Sequence, residues 1–176
     1  MKKIIVLLIS VTLWSCEGPQ GPPGPPGFDG INILGSVFEV NITFSPANGY
    51  SVLVPFPNNI EVFESDIVMV YLLEEQVSDP SGPIDVWTPL PQSFFVNNGA
   101  QVVYNFNHTF LDVNLFLDGN VNLDSLGPAF TDNQIFRIAV LPAEFAETFD
   151  GDLQNYSEVM QALELHNPDF EVINLK

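Results

Sequence analysis

The sequence predicts an all-β fold in which two antiparallel sheets pack face to face. Three observations lead to this prediction: apolar and polar residues alternate along several short segments, these segments are rich in β-branched and aromatic residues, and Gly, Pro and Asn separate them. Hydrophobic residues make up 46% of the chain, which is enough to build a core despite the high net charge. About seven to nine short strands of this kind are typical of an immunoglobulin-like or jelly-roll-like β-sandwich.

The first three predicted strands lie in the amino-terminal half of this domain. In residues 37–44, the side chains of Phe38, Val40, Ile42 and Phe44 fall on one face, as in a half-buried strand. Asn48 and Gly49 tolerate positive φ, so they predict a hairpin turn into a second strand over residues 50–56. Residues 66–74 contain an unbroken apolar run, which predicts a central strand covered on both faces.

The remaining predicted elements complete two sheets and add one helix. Further strands are predicted over residues 92–96, 101–108, 112–118, 134–141 and, as an edge strand, 170–175. Asn97, Asn98 and Gly99 form the predicted turn between the first two of these. Asn155 can cap a short helix that carries an apolar stripe of Val159, Met160 and Leu163, and a helical turn is predicted after Pro142.

The chain begins with the features of a signal peptide, assigned to residues 1–15. Lys2 and Lys3 precede an apolar run of eleven residues, 4–14, which is too short to span a bilayer as a helix. The last residues of the run and the two that follow it read Leu13-Trp14-Ser15-Cys16. This segment resembles the lipobox of bacterial lipoproteins, with Trp14 as the one departure. We therefore expect cleavage before Cys16 and a lipidated amino terminus at residues 16–17.

Cys16 is the only cysteine of the chain, so no internal disulfide can form. A free thiol in a discarded leader and an intermolecular disulfide are the alternatives to lipidation. Each buried acyl methylene contributes about 0.8 kcal/mol, so two or three acyl chains would anchor the protein stably. Membrane attachment is thus expected to come from lipid rather than from a spanning helix.

A collagen-like segment follows at residues 18–34. Glycine recurs at every third position, at Gly18, Gly21, Gly24, Gly27 and Gly30. Only glycine fits at the axis of a collagen triple helix, and proline presets the polyproline II backbone. Five triplets support two interpretations: a short neck that joins three chains, or a semi-rigid spacer of roughly 45 Å at 3.1 Å per residue. The spacer is the favoured interpretation because the repeat is short.

The charge of the chain excludes one class of function. Cleavage before Cys16 leaves two basic residues, Arg137 and Lys176, against 22 acidic ones, a net charge of −20. Nucleic-acid binding requires basic residues that neutralise phosphates, so it is not expected. The acidity favours a solvated, self-repelling surface, with divalent cation binding as the alternative.

The lipobox-like Cys16, the GPQGPPGPPG run and the acidic β domain with VVYNFNHTF, LFLDGN and NQIFRIAVLPAEF together resemble a family of collagen-repeat-bearing bacterial lipoproteins. The resemblance covers essentially the whole chain. It implies an outer-membrane lipoprotein with a globular β domain at residues 35–176, and it implies no catalytic residues.

The most specific metal-binding pattern has oxygen-bearing side chains at alternate positions, which can wrap a hard cation such as Ca²⁺. These side chains belong to Asp118, Asn120, Asn122 and Asp124. The segment lacks the glycine and glutamate of an EF-hand loop, so a polar surface hairpin is the favoured interpretation.

Other candidate residues point to structural roles. His108 shares its strand face with apolar residues, and His166 lies in a predicted turn, so neither is expected to be catalytic. Arg137 lies on a predicted strand and is expected to pair with a carboxylate on a neighbouring strand. Trp87 is expected in the core, with a carbohydrate-stacking role as the alternative if it is exposed.

The sequence thus predicts a membrane-anchored extracytoplasmic lipoprotein, facing the periplasm or the cell surface. Its sandwich domain is expected to be a structural or interaction module without catalytic activity. A Ca²⁺-dependent module that binds a glycan or a protein is the second interpretation, and a hydrolase acting on glycans through paired carboxylates is the third.

Overall fold

The structure, a computed structural model, describes residues 35–96, 99–163 and 172–175. The predicted signal peptide, Cys16, the Gly-X-Y segment with its five repeat glycines, and His166 lie outside these residues. The strands of the described part are β1 (Ser36–Ile42), β2 (Ser51–Pro55), β3 (Ile67–Val77), β4 (Ile84–Pro89), β5 (Gln92–Phe95), β6 (Gln101–His108), β7 (Asp112–Gly119), β8 (Gln134–Leu141) and β9 (Val172–Leu175). The helices are α1 (Pro128–Thr131), α2 (Ala143–Thr148) and α3 (Tyr156–Ala162).

The strands form two sheets, and the predicted β-sandwich is confirmed. The first sheet has the order β4-β3-β8-β1-β9, and the second has the order β2-β7-β6-β5. Neighbouring strands run antiparallel except for β9, which is parallel to β1 at the edge of the first sheet. The edge position of the last strand was therefore predicted correctly.

The main core lies between the two sheets and is built from the apolar side of each alternating strand. Phe38, Val40 and Ile42 of β1 and Phe136 of β8 are buried there, as the period of two predicts. Phe44 packs edge to face against Tyr104 and Phe136, with ring centroids 6.2 Å apart in both pairs. Burial of each large apolar side chain stabilises the fold by roughly 2 kcal/mol.

A second apolar cluster covers the outer face of the first sheet. Tyr71, Ala139 and Leu141 point away from the main core and pack with residues of the α3 region. Those residues are Val159, Met160 and Leu163, the predicted apolar stripe. The central strands β3 and β8 are therefore buried on both faces, which explains their nearly continuous apolar sequences.

Helix α3 begins as predicted. The side-chain oxygen of Asn155 accepts hydrogen bonds from the backbone N–H groups of Ser157, at 3.1 Å, and Glu158, at 3.3 Å. These bonds satisfy amide groups that have no partner within the first helical turn. The predicted helical turn after Pro142 is also present, as α2.

The hairpin predicted at Asn48 and Gly49 is wrong. β1 pairs with β8 and β9, whereas β2 pairs with β7 in the other sheet, so this segment is an arch between the sheets. Its chain turns through a 3-10 helix at Pro46–Asn48, and Gly49 has the positive φ of 61° that the sequence led us to expect. Positive φ fits both connections, so the turn residues alone could not distinguish a hairpin from an arch.

Two other differences concern strand content. β4 was not among the predicted strands. It ends at Pro89 and forms an edge of the first sheet, where a missing N–H is tolerated. β3 continues to Val77, past the predicted end at residue 74, through an irregularity in register between Leu73 and Glu75.

Candidate functional site

Arg137 lies on the outer face of the first sheet, opposite Glu39 on the neighbouring strand β1. Its Nε donates to Glu39 Oε1 at 2.9 Å, and one terminal nitrogen contacts the same oxygen. The two side chains are only 9% and 12% exposed. A charge this deeply buried needs an opposite partner, and the structure supplies the cross-strand carboxylate that the sequence led us to expect.

Two aromatic rings cover the guanidinium of Arg137. Its central carbon lies 4.0 Å from the centroid of the Trp87 ring and 5.3 Å from that of Tyr156 in α3. The two rings stack on each other with centroids 5.7 Å apart. Trp87 therefore packs within the second cluster, as predicted, and its ring is engaged by protein groups rather than open for a sugar.

The four candidate calcium ligands begin at Asp118, near the end of β7, and continue into the segment where the chain crosses from the second sheet to the first. The favoured interpretation of this segment as a polar surface hairpin is wrong, because β7 is followed by a 3-10 helix at Leu123–Ser125 and then by α1. Asp118 accepts a hydrogen bond from Gly119 N at 2.7 Å, and Asn120 Oδ1 accepts one from Gln101 N at 2.6 Å.

The other two candidate ligands also have partners in the protein. Asn122 Oδ1 accepts from Asp124 N at 3.2 Å, and Asp124 Oδ1 accepts from the Tyr50 hydroxyl at 2.8 Å. Burial, followed by this hydrogen bond and the Asp124 charge, raises the pKa of Tyr50. No group of three or more His, Cys, Asp or Glu side chains suited to a metal was found in the described ranges. Calcium binding stays the alternative interpretation of this segment.

His108 lies at the exposed end of β6 and stacks on Phe106, with centroids 6.4 Å apart. It borders an open depression of about 510 Å³ together with Phe63, Glu64, Thr109 and Phe110. Phe63 and Phe110 are exposed at 57% and 48%, so this end of the domain presents apolar side chains to solvent.

A second cavity, of about 290 Å³, lies where the carboxyl-terminal end of β1 meets β9 and the arch between β1 and β2. Four of its lining residues are asparagines, Asn41, Asn48, Asn133 and Asn174. Hydroxyl groups come from Thr43 and Ser45, and Leu175 contributes apolar surface. We call this the asparagine cavity. This cavity was not predicted, although polar Asn41 and Thr43 alternate with the apolar residues Val40, Ile42 and Phe44.

The asparagine cavity has a fixed wall. Asn48 Oδ1 accepts from the backbone N–H groups of Ser45 at 2.9 Å and Tyr50 at 3.1 Å, while its Nδ2 donates to Thr43 O at 2.9 Å. Thr43 Oγ1 accepts from Asn133 N at 3.2 Å. These bonds hold the arch, the end of β1 and the start of β8 together around the cavity.

No helix among the described residues is long and apolar enough to cross a membrane. Comparison of the chain with family models, with curated proteins and with solved structures found no match.

Proposed function

We propose that this protein is an extracytoplasmic lipoprotein whose β-sandwich domain is held at a membrane through lipid on Cys16 and acts as an interaction module. The observation that carries the proposal is the position of the single cysteine, which Ser15 alone separates from an eleven-residue apolar run and which lies two residues before the glycine repeat. No catalytic residues are part of the proposal.

The domain has properties that suit a module displayed outside the cytoplasm. Its sheets cover each other and its second cluster buries one outer face, so the fold requires no disulfide. The high negative charge keeps copies apart at the crowded surface of a membrane. The Gly-X-Y segment is proposed to act as a spacer between lipid and domain, and the membrane is proposed to be the outer membrane.

Metabolic labelling of intact cells with a palmitate analogue tests the anchor. The full chain should take up label and fractionate with membranes, whereas a Cys16→Ser variant should do neither. A Trp14→Ala variant serves as the matched control, because it alters the one residue that departs from the lipobox pattern and keeps Cys16. An unlabelled parent chain, or one with its leader still attached, would contradict the proposal.

The spacer role has its own test. The full chain in detergent should sediment as a monomer, and a Gly21→Ala/Gly24→Ala variant should behave identically, because five triplets are too few to hold three chains. A parent chain that sediments as a trimer, together with a monomeric variant, would show that the segment is a trimeric neck instead.

A further inference from the structure

We propose that the asparagine cavity binds a neutral saccharide without the aid of a metal ion. The inference gives a ligand class to the interaction module proposed above. It rests on that proposal only for its biological setting, because the cavity belongs to the β-sandwich and not to the anchor.

The cavity contains hydrogen-bonding groups that the protein itself does not use. Within the described residues, no hydrogen bond engages the side-chain amides of Asn41 and Asn133. The Nδ2 of Asn174 makes only a long contact of 3.5 Å to Val172 O, which leaves its oxygen open. Each amide offers two donors and an acceptor, and each sugar hydroxyl can both donate and accept.

Three of the asparagines lie close together in the fold. Asn41 and Asn174 are register partners on the parallel strands β1 and β9, so both side chains leave the same face of the sheet about 4.8 Å apart. Asn133 lies directly before β8, has a left-handed φ of 52° and also lines the cavity. Two neighbouring strands and the turn before a third thus bring amides to one space.

The described lining of the cavity is uncharged. None of the described residues that line it is ionisable, although the domain as a whole is strongly acidic. An anionic ligand would meet the repulsion of the domain with no cation among these residues to offset it, and a metal ion would find no carboxylate among them. A neutral, hydroxyl-rich ligand satisfies the amides at no electrostatic cost.

The size of the cavity limits the ligand. Its volume of about 290 Å³ lies just below the range of roughly 300 to 1,000 Å³ that is usual for small-molecule pockets. Such a volume favours one sugar ring over a longer chain.

The test is a titration of the full chain, purified in a detergent without a sugar head group and with EDTA present. The probes are the methyl glycosides of glucose, galactose, mannose and N-acetylglucosamine, with glucuronic acid as the charged comparison, and binding is followed by saturation-transfer NMR. At least one neutral glycoside should bind saturably. Glucuronic acid should bind about tenfold more weakly, because the acidic domain repels its carboxylate.

Two variants locate the binding site. Asn41→Ala and Asn133→Gly should each raise the Kd about tenfold, and glycine keeps the left-handed backbone at position 133 so that this variant folds. The control is Asn107→Ala, which removes an exposed asparagine from β6 in the other sheet and should leave the Kd unchanged.

The absence of saturable binding by all four neutral glycosides would overturn the inference, and so would binding that neither cavity variant weakens. A Cys16→Ser chain should bind sugar as the parent does. Lipidation and sugar binding are therefore measured in separate experiments, and failure of one can be distinguished from failure of the other.

Discussion

Glu39 and Arg137 form a nearly buried ion pair across β1 and β8, beneath the stacked rings of Trp87 and Tyr156. The guanidinium of Arg137 links β8, the central strand of the first sheet, to its neighbour β1. Breaking this pair should therefore weaken the whole first sheet.

We expect Arg137→Met to lower the free energy of unfolding by about 3 kcal/mol, because Glu39 would be left as an uncompensated charge in a nearly buried site. Chemical denaturation measures the loss. The double variant Glu39→Leu/Arg137→Met should recover to within about 1 kcal/mol of the parent, since two packed apolar side chains replace the pair. An Arg137→Met protein as stable as the parent would contradict a structural role for the pair.

Gly119 is required by both its backbone and its neighbour. Its φ is 139°, and an added Cβ would lie 2.1 Å from the carbonyl oxygen of Gln101. Gly119→Ala should cost about 3 kcal/mol in free energy of unfolding, since the β6–β7 pairing must shift. Gly82→Ala is the matched control: φ is 131° there, but no atom lies within 4 Å of the added Cβ. Equal losses in the two variants would show that the close contact contributes nothing.

Two buried tyrosines predict a loss of stability at alkaline pH. Burial raises the pKa of Tyr71, with a smaller contribution from the charge of Asp152, and burial raises the pKa of Tyr104. Because the folded-state pKa lies above the unfolded value of about 10, the stabilisation is complete below pH 10 and declines above it, by about 1.4 kcal/mol per pH unit for each tyrosine.

Tyrosinate absorbance and circular dichroism should therefore change together above this pH, as unfolding exposes the hydroxyls. Tyr104→Phe should reduce the slope, although it removes the hydrogen bond of 2.8 Å to Phe130 O and lowers stability at neutral pH by about 1 kcal/mol. Ionisation of all four tyrosines near their ordinary pKa in a folded protein would refute this prediction.

The cap of α3 offers a local test. Asn155→Ala should lower the free energy of unfolding by about 1 kcal/mol, because two backbone N–H groups lose their acceptor. Asn155→Asp, which keeps an acceptor oxygen, should lose less, although the carboxylate of Glu158 lies nearby. Thermal unfolding of the two variants measures the difference, and an Asn155→Ala protein with an unchanged melting temperature would contradict the role of the cap.

Calcium should have no effect on stability. Asn120 and Asn122 already accept hydrogen bonds from backbone N–H groups, and Asp124 accepts one from Tyr50, so binding would have to break these contacts. We expect no change in melting temperature and no heat when Ca²⁺ is titrated into the protein. A saturable calorimetric signal that Asp124→Asn removes would restore the calcium-dependent interpretation.

Much of the fold could be predicted because side-chain alternation is local. The inward face of β1, the two-sided burial of β3 and the cap of α3 follow from residues within a few positions of one another. β4 could not be recognised in the same way, because Pro89 is compatible with a strand chiefly at a sheet edge, and only strand order shows that β4 lies there.

The sequence by itself determined the sandwich class, the inward faces of the strands, the acidity of the domain and the need of Arg137 for a carboxylate partner. Tertiary structure alone decided which sheet each strand joined, that Glu39 was that partner, and that Asn41, Asn133 and Asn174 came to line one cavity. The physical reason is that periodicity acts over neighbouring residues, whereas strand order depends on contacts between segments more than a hundred positions apart in some pairs, whose energies no local pattern contains.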